Sequence, residues 1–140
     1  SSPFELNLGW TVHLDKPRFI GMDALVAEKK RGSSWQFVGI EVDWTSLEAL
    51  FAEHHLPPRV PGIAWRASIP LYAAGRQVGY SSSGCWSPLL KKMLALAHVE
   101  TPWAAAGTPL SMEVTVEHRR RQAAAAVAPL PFFNPERKRS

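Results

Sequence analysis

The stretch "PLSMEVTVE", Pro109–Glu117, alternates without a break. Leu110, Met112, Val114 and Val116 fall on one side, and Ser111, Glu113, Thr115 and Glu117 on the other. Successive side chains of a strand point to opposite faces, so this two-residue period reads as a half-buried strand. Similar short pieces recur along the chain. In "WQFVGIEVDW", Val38, Ile40 and Val42 alternate against Phe37, Gly39 and Glu41; "IPLYA", "RQVGYSSS" after a turn at Gly75, and "QAAAAVAPL" follow. "KMLALAHV" is apolar almost throughout, and periodicity does not separate a strand from a buried helix segment there. Short strands at regular spacing, with Gly and Pro between them, specify a mainly β fold, a small barrel or a sandwich. At 140 residues and 46% hydrophobic content, the chain is long enough to bury one core of that kind.

Two helical segments interrupt the pattern. In "FIGMDALVAEKKRG", Met22, Leu25 and Val26 stand at helical spacing, basic residues fill the last turn, and Gly32 is a stop signal. The period changes at Gly32–Ser34, which divides the chain into residues 1–33 and 34–140. A second helix, expected over about residues 46–55, carries a capping box in Thr45 and Glu48. Leu47, Leu50, Phe51 and His54 share its face, and Pro57 and Pro58 end it. The loop "LPPRVPGIAWRASIP" leads on to the next strands.

The net charge of +4 gathers late in the chain, in "HRRRQ" and "ERKRS". The first run lies between two strands and reads as a solvated hairpin tip. The six tryptophans are not interleaved with basic residues, and glutamates occupy the polar face of Pro109–Glu117. Both features argue against a nucleic-acid surface. No apolar run approaches the ~20 residues of a membrane helix. A single cysteine excludes an internal disulfide and points to a reducing, cytoplasmic setting.

"GYSSSGCWSPLL", Gly79–Leu90, holds a serine run, two glycines and that cysteine. It does not supply the G-x-S-x-G of a nucleophile elbow, nor the lysine of a phosphate loop. Cys85 beside Trp86 reads as a small buried apolar residue. His54 and His55 are adjacent on a helix and diverge, and His13, His98 and His118 are scattered, so no metal spacing arises. Residue patterns alone thus give a β-rich domain with a helical prefix, no catalytic residue and no metal site.

Four stretches, in order, resemble the C-terminal part of the glycine cleavage T-protein (aminomethyltransferase) family. "SPFELNLGWTVHLDKPRFIGMDAL" is similar to the family's segment leading out of its folate-binding core. "FVGIEV" is similar to the first strand of its C-terminal barrel. "GRQVGYSSSGCWSPLLKKMLALAHV" resembles its S-G-x-x-S-P-x-L signature, and "AGTPLSMEV" with "PLPFFNPERKR" resembles its closing strands and tail. The resemblance implies a small antiparallel C-terminal β-barrel over residues 34–140 with an inserted helix. Residues 1–33 would be the tail end of a folate-binding region. Within the barrel the S-G-x-x-S-P stretch would be a turn, with Gly84 at positive φ and Ser83, Ser87 and Pro88 structural. The connection "DWTSLEALFAEHHLPPRVPGIAWRAS" is longer than the family's usual one.

The resemblance further implies a C-terminal piece of a tetrahydrofolate-dependent aminomethyltransferase or related one-carbon transferase. The aspartate and pterin-binding acid that the family uses have no counterpart here, so the piece would not be catalytic alone. Trp10, in the L-G-W element, would stack on the cofactor, and Arg66 would pair with the folate carboxylate. The implied partners are folate, an aminomethyl or methylamine-type substrate, and a carrier protein. A competing expectation is a non-catalytic barrel that docks a partner. The apolar stripe of Phe19, Ile20, Met22, Leu25 and Val26 would need cover, so the isolated chain should self-associate or fray there.

Overall fold

A computed structural model describes residues 1–59 and 63–138. The loop positions 60–62 and the last two residues of the basic terminus, Arg139 and Ser140, lie outside the described residues. Six strands, β1 (Trp35–Val42), β2 (Ile69–Ala73), β3 (Arg76–Ser87), β4 (Lys92–Glu100), β5 (Pro109–Val116) and β6 (Arg119–Ala128), close into one antiparallel barrel. Their order around it is β1-β4-β3-β2-β5-β6, with β6 returning to β1 through pairs such as Ile40↔Val127. Helix α1 (Met22–Arg31) precedes the barrel, and α2 (Trp44–Ala52) is inserted between β1 and β2. Closure settles the choice between barrel and sandwich.

The ambiguous segment "KMLALAHV" is strand β4. It pairs with β1 from Trp35↔Glu100 to Val42↔Met93, and with β3 on its other side. Being central, it buries Met93, Leu94, Ala95, Ala97 and Val99, which is why its sequence lacks a polar face. Along the β5–β6 ladder, large residues of β5 pair with small ones of β6: Leu110 with Ala125 and Met112 with Ala123. All four are buried, an arrangement that fills a narrow interior without overpacking. Val116 is buried as expected, whereas Val114 is only partly so. Its cross-strand partner is Arg121, which bonds Glu53 just beyond α2.

The narrowest seam lies between β2 and β5, where only Leu71↔Met112 and Tyr72↔Ser111 pair. The next residue of β2 is Pro70, which has no N–H to continue a ladder. Helix α2 covers the adjoining end of the barrel. Leu47 and Phe51 join the hydrophobic core, and the Ala124 N–H donates to Ser46 Oγ at 2.9 Å.

Three local readings are corrected. The N-cap of α2 is Asp43, whose carboxylate accepts from the Thr45 and Ser46 N–H groups at 2.9 and 3.3 Å. The Thr45–Glu48 capping box does not form: Asp43 already takes the Thr45 N–H that Glu48 would have met, and Glu48 accepts from Trp44 Nε1 at 2.8 Å. The helix therefore starts earlier than expected and ends at Ala52, with the chain leaving through His55 at φ 55. Finally, the basic run is not the hairpin tip. Glu117 and His118 form it, at φ 49 and 61, while Arg119–Arg121 belong to β6. A two-residue hairpin needs both central residues at positive φ, and this is where the chain places them.

No residue of α1 is buried. Its end is tied down by Glu28, whose carboxylate accepts from Ser2 Oγ at 2.6 Å and Ser33 Oγ at 2.7 Å. Those hydrogen bonds hold the Glu28 carboxyl below the usual carboxylate range. Among the described residues, no helix is long and apolar enough to cross a membrane.

Candidate functional site

The serine-rich signature is a strand rather than a turn. Residues 81–87 continue β3, and the reversal comes after it, with Lys91 at φ 53. The β3–β4 register shifts between Ser81 and Ser83, so Ser82 is the extra residue of a bulge. Three of the strand's hydroxyls then meet backbone. Ser81 Oγ, fully buried, donates to the Ser83 carbonyl at 3.3 Å, and Ser82 Oγ donates to the Leu96 carbonyl at 3.4 Å. Ser87 Oγ accepts from the Leu90 N–H at 3.3 Å. These hydroxyls brace the fold.

Gly84 does not take positive φ, contrary to the turn expectation. It is a strand residue facing inward, and its missing side chain makes room for the Trp65 ring. Cys85 is half-exposed instead of buried, because it pairs across to Leu94 on the outer face of the sheet. It lines an apolar groove with Leu89, Phe132 and Phe133. His98, on the neighbouring strand, lies four residues along from Leu94, or about 13 Å at the strand rise. No thiol–imidazole pair forms there.

His98 belongs to a different group. Its ring stacks on Tyr80 with centroids 5.4 Å apart and tilts against Phe37 at 5.2 Å, on the barrel's outer face. Both imidazole nitrogens are sealed from solvent without a hydrogen-bond partner. The residues come from three strands, so no local spacing announced the cluster. Nearby, Arg76 bonds Glu100 at 2.7 Å, which lowers the Glu100 carboxyl and raises the guanidinium. Among the described residues, no group of three or more His, Cys, Asp or Glu is placed to hold a metal.

Trp10 sits on a single 3-10 turn, Gly9–Thr11, and is 78% exposed. Arg66 is exposed in the loop before β2, which begins only at Ile69. Neither side chain has a hydrogen bond, ion pair or ring contact among the described residues, and no such contact joins the two. An unstacked indole and an unpaired guanidinium are the groups that a flat heteroaromatic carrying carboxylates would use.

Comparison with known proteins agrees with this architecture. The family described as the glycine cleavage T-protein C-terminal barrel domain matches residues 56–134. The chain is similar to the aminomethyltransferase of Desulforamulus reducens, at 30% identity over 135 residues, covering 96% of this chain and 31% of that protein. It is similar to that of Synechococcus elongatus at 40% over 134 residues, covering 95% and 30%. A crystal structure of glycine cleavage system aminomethyltransferase T from Bartonella henselae shares the fold, with a TM-score of 0.70 at 24% identity, over 94% of this chain and 32% of that one. The chain thus spans about three-tenths of the length of these relatives. On the family match, this chain belongs to the glycine cleavage T-protein C-terminal barrel domains.

Proposed function

We propose that the chain acts as the C-terminal barrel region of a tetrahydrofolate-dependent aminomethyltransferase or related one-carbon transferase, and that it is not catalytic alone. The observation that carries this is alignment with aminomethyltransferases along 95% or more of the chain. Residues 1–33 are the part that joins the folate-binding region, and residues 34–140 are the barrel. In support, Leu8, Trp10, Phe19 and Ile20 are all exposed ahead of the barrel, as a joint lacking its cover would be. The isolated chain is expected to self-associate through the same surface.

In this reading Trp10 stacks on the pterin and Arg66 meets the glutamate carboxylate. Tetrahydrofolate held by these two side chains would supply the acceptor for a one-carbon unit from an aminomethyl or methylamine-type donor, which a carrier protein would deliver. A single cysteine suits a cytoplasmic setting. The test is steady-state kinetics of the intact protein. Trp10→Ala and Arg66→Ala should each raise KM for tetrahydrofolate about tenfold with kcat retained, and residues 1–140 alone should show no turnover. Turnover by the isolated chain, or an unchanged KM in both variants, would overturn the assignment.

A further inference from the structure

The seam between β2 and β5 opens beneath α2 into a cleft of about 310 Å³. Leu47, Met93, Met112 and Trp65 give it apolar walls, and Arg59 and Glu113 are its charged lining. That size is at the small end of ligand sites, roughly 300–1,000 Å³, in which a few polar groups orient a molecule within apolar surroundings. Methionine walls adapt to the shape of what they hold.

The charges around this cleft are left over. Close by, opposite charges do find each other: Arg121 bonds Glu53, and Lys92 meets Glu41 at 2.8 Å. Among the described residues, Arg59 and Glu113 have neither an ion pair nor a side-chain hydrogen bond, although they line the same cavity. Trp65, in the same wall, keeps a buried Nε1–H with no acceptor. An unpaired cation and an unpaired anion on one apolar cleft call for a ligand with both signs and an aliphatic body. We propose that the cleft binds a small zwitterion, an α-amino acid of about leucine size, with its carboxylate toward Arg59 and its ammonium toward Glu113.

Leu47 comes from α2, which lies outside the residues 56–134 matched to the family barrel. The cleft is therefore walled in part by residues outside the matched stretch, and the inference does not depend on the folate reading. Its test uses the full chain, isotope-labelled, with L-leucine, isocaproate, isoamylamine and glycine as probes. The readout is the Trp65 indole N–H resonance, assigned with Trp65→Phe. Leucine should shift it saturably. Isocaproate and isoamylamine, each lacking one charge, should bind about tenfold more weakly or worse, and glycine, lacking the body, should not bind. Arg59→Ala and Glu113→Gln should each weaken leucine binding about tenfold with an unchanged thermal melt. The analogue series reads the same two charges without any substitution, so it decides the matter even if a variant folds poorly. No saturable shift with leucine, or isocaproate binding as well as leucine, overturns the proposal. So does undiminished binding in folded Arg59→Ala and Glu113→Gln.

Discussion

The benzo edge of the Trp65 indole lies on the Cα of Gly84. A methyl carbon built on that glycine would stand 2.4 Å from both Cζ2 and Cη2 of the ring, and 2.8 Å from the Leu94 carbonyl oxygen. The Trp65 backbone N–H also donates to the Gly84 carbonyl at 3.0 Å, so one residue pair holds the loop to β3 through backbone and side chain together.

Gly84→Ala should therefore destabilise the barrel by about 3 kcal/mol, because neither the ring nor the Leu94 carbonyl can withdraw freely. Adding Trp65→Ala to it should cost less than the sum of the single changes, since the second removes the first one's main clash. Urea melts of the three variants measure this, and strict additivity would contradict the contact.

Asp43→Ala should lower stability by about 1 kcal/mol through loss of the α2 N-cap. Thr45→Ala should stay within about 0.5 kcal/mol, because the Thr45 side chain caps nothing. A reversed order in thermal melts would restore the Thr45–Glu48 capping box that the sequence pattern suggested.

Met112→Asp should be severe, at about 4 kcal/mol or more, since it places a charge opposite buried Ala123 with no partner. Val114→Asp should be clearly milder. Its site is partly open and faces Arg121 across the ladder. Comparing the two variants by circular dichroism checks the register of β5.

Acid should release the N-terminal segment before the barrel. The Glu28 carboxyl is lowered by hydrogen bonds from Ser2 and Ser33, so its stabilising contribution is complete above the ordinary glutamate value. That contribution disappears as pH falls through the lowered value, where protonation of Glu28 breaks both bonds. Amide exchange of the Ser1–Leu6 and Ser33 regions should rise through that window, and Glu28→Gln should abolish the pH dependence.

Much of this fold was legible because a strand exposed on one face must alternate. Leu110, Met112 and Val116 announced their burial through that pattern, and Gly32 and the basic last turn announced the end of α1. Asp43 was passed over because the Thr45–Glu48 spacing made a competing cap signal, and which side chain reaches the free N–H groups depends on where the helix begins. Trp10 and Arg66 came from family resemblance and carried no local signal of their own.

Local period determined that the alternating segments are strands, turn chemistry marked the reversal at Gly75, and spacing showed that the serine run lacks a catalytic pattern. Only the tertiary structure decided what depends on pairs far apart in the chain. Gly84 serves as a seat for Trp65, not as a turn, because a bulge at Ser82 and a bridge nineteen residues upstream bring them together. Arg59 and Glu113 share a cleft because Pro70 halts the β2–β5 ladder and α2 folds over the opening. A sequence pattern reports the direction of each side chain along its own element. Which other element it meets is fixed by closure of the barrel, a cooperative packing condition that no single segment carries.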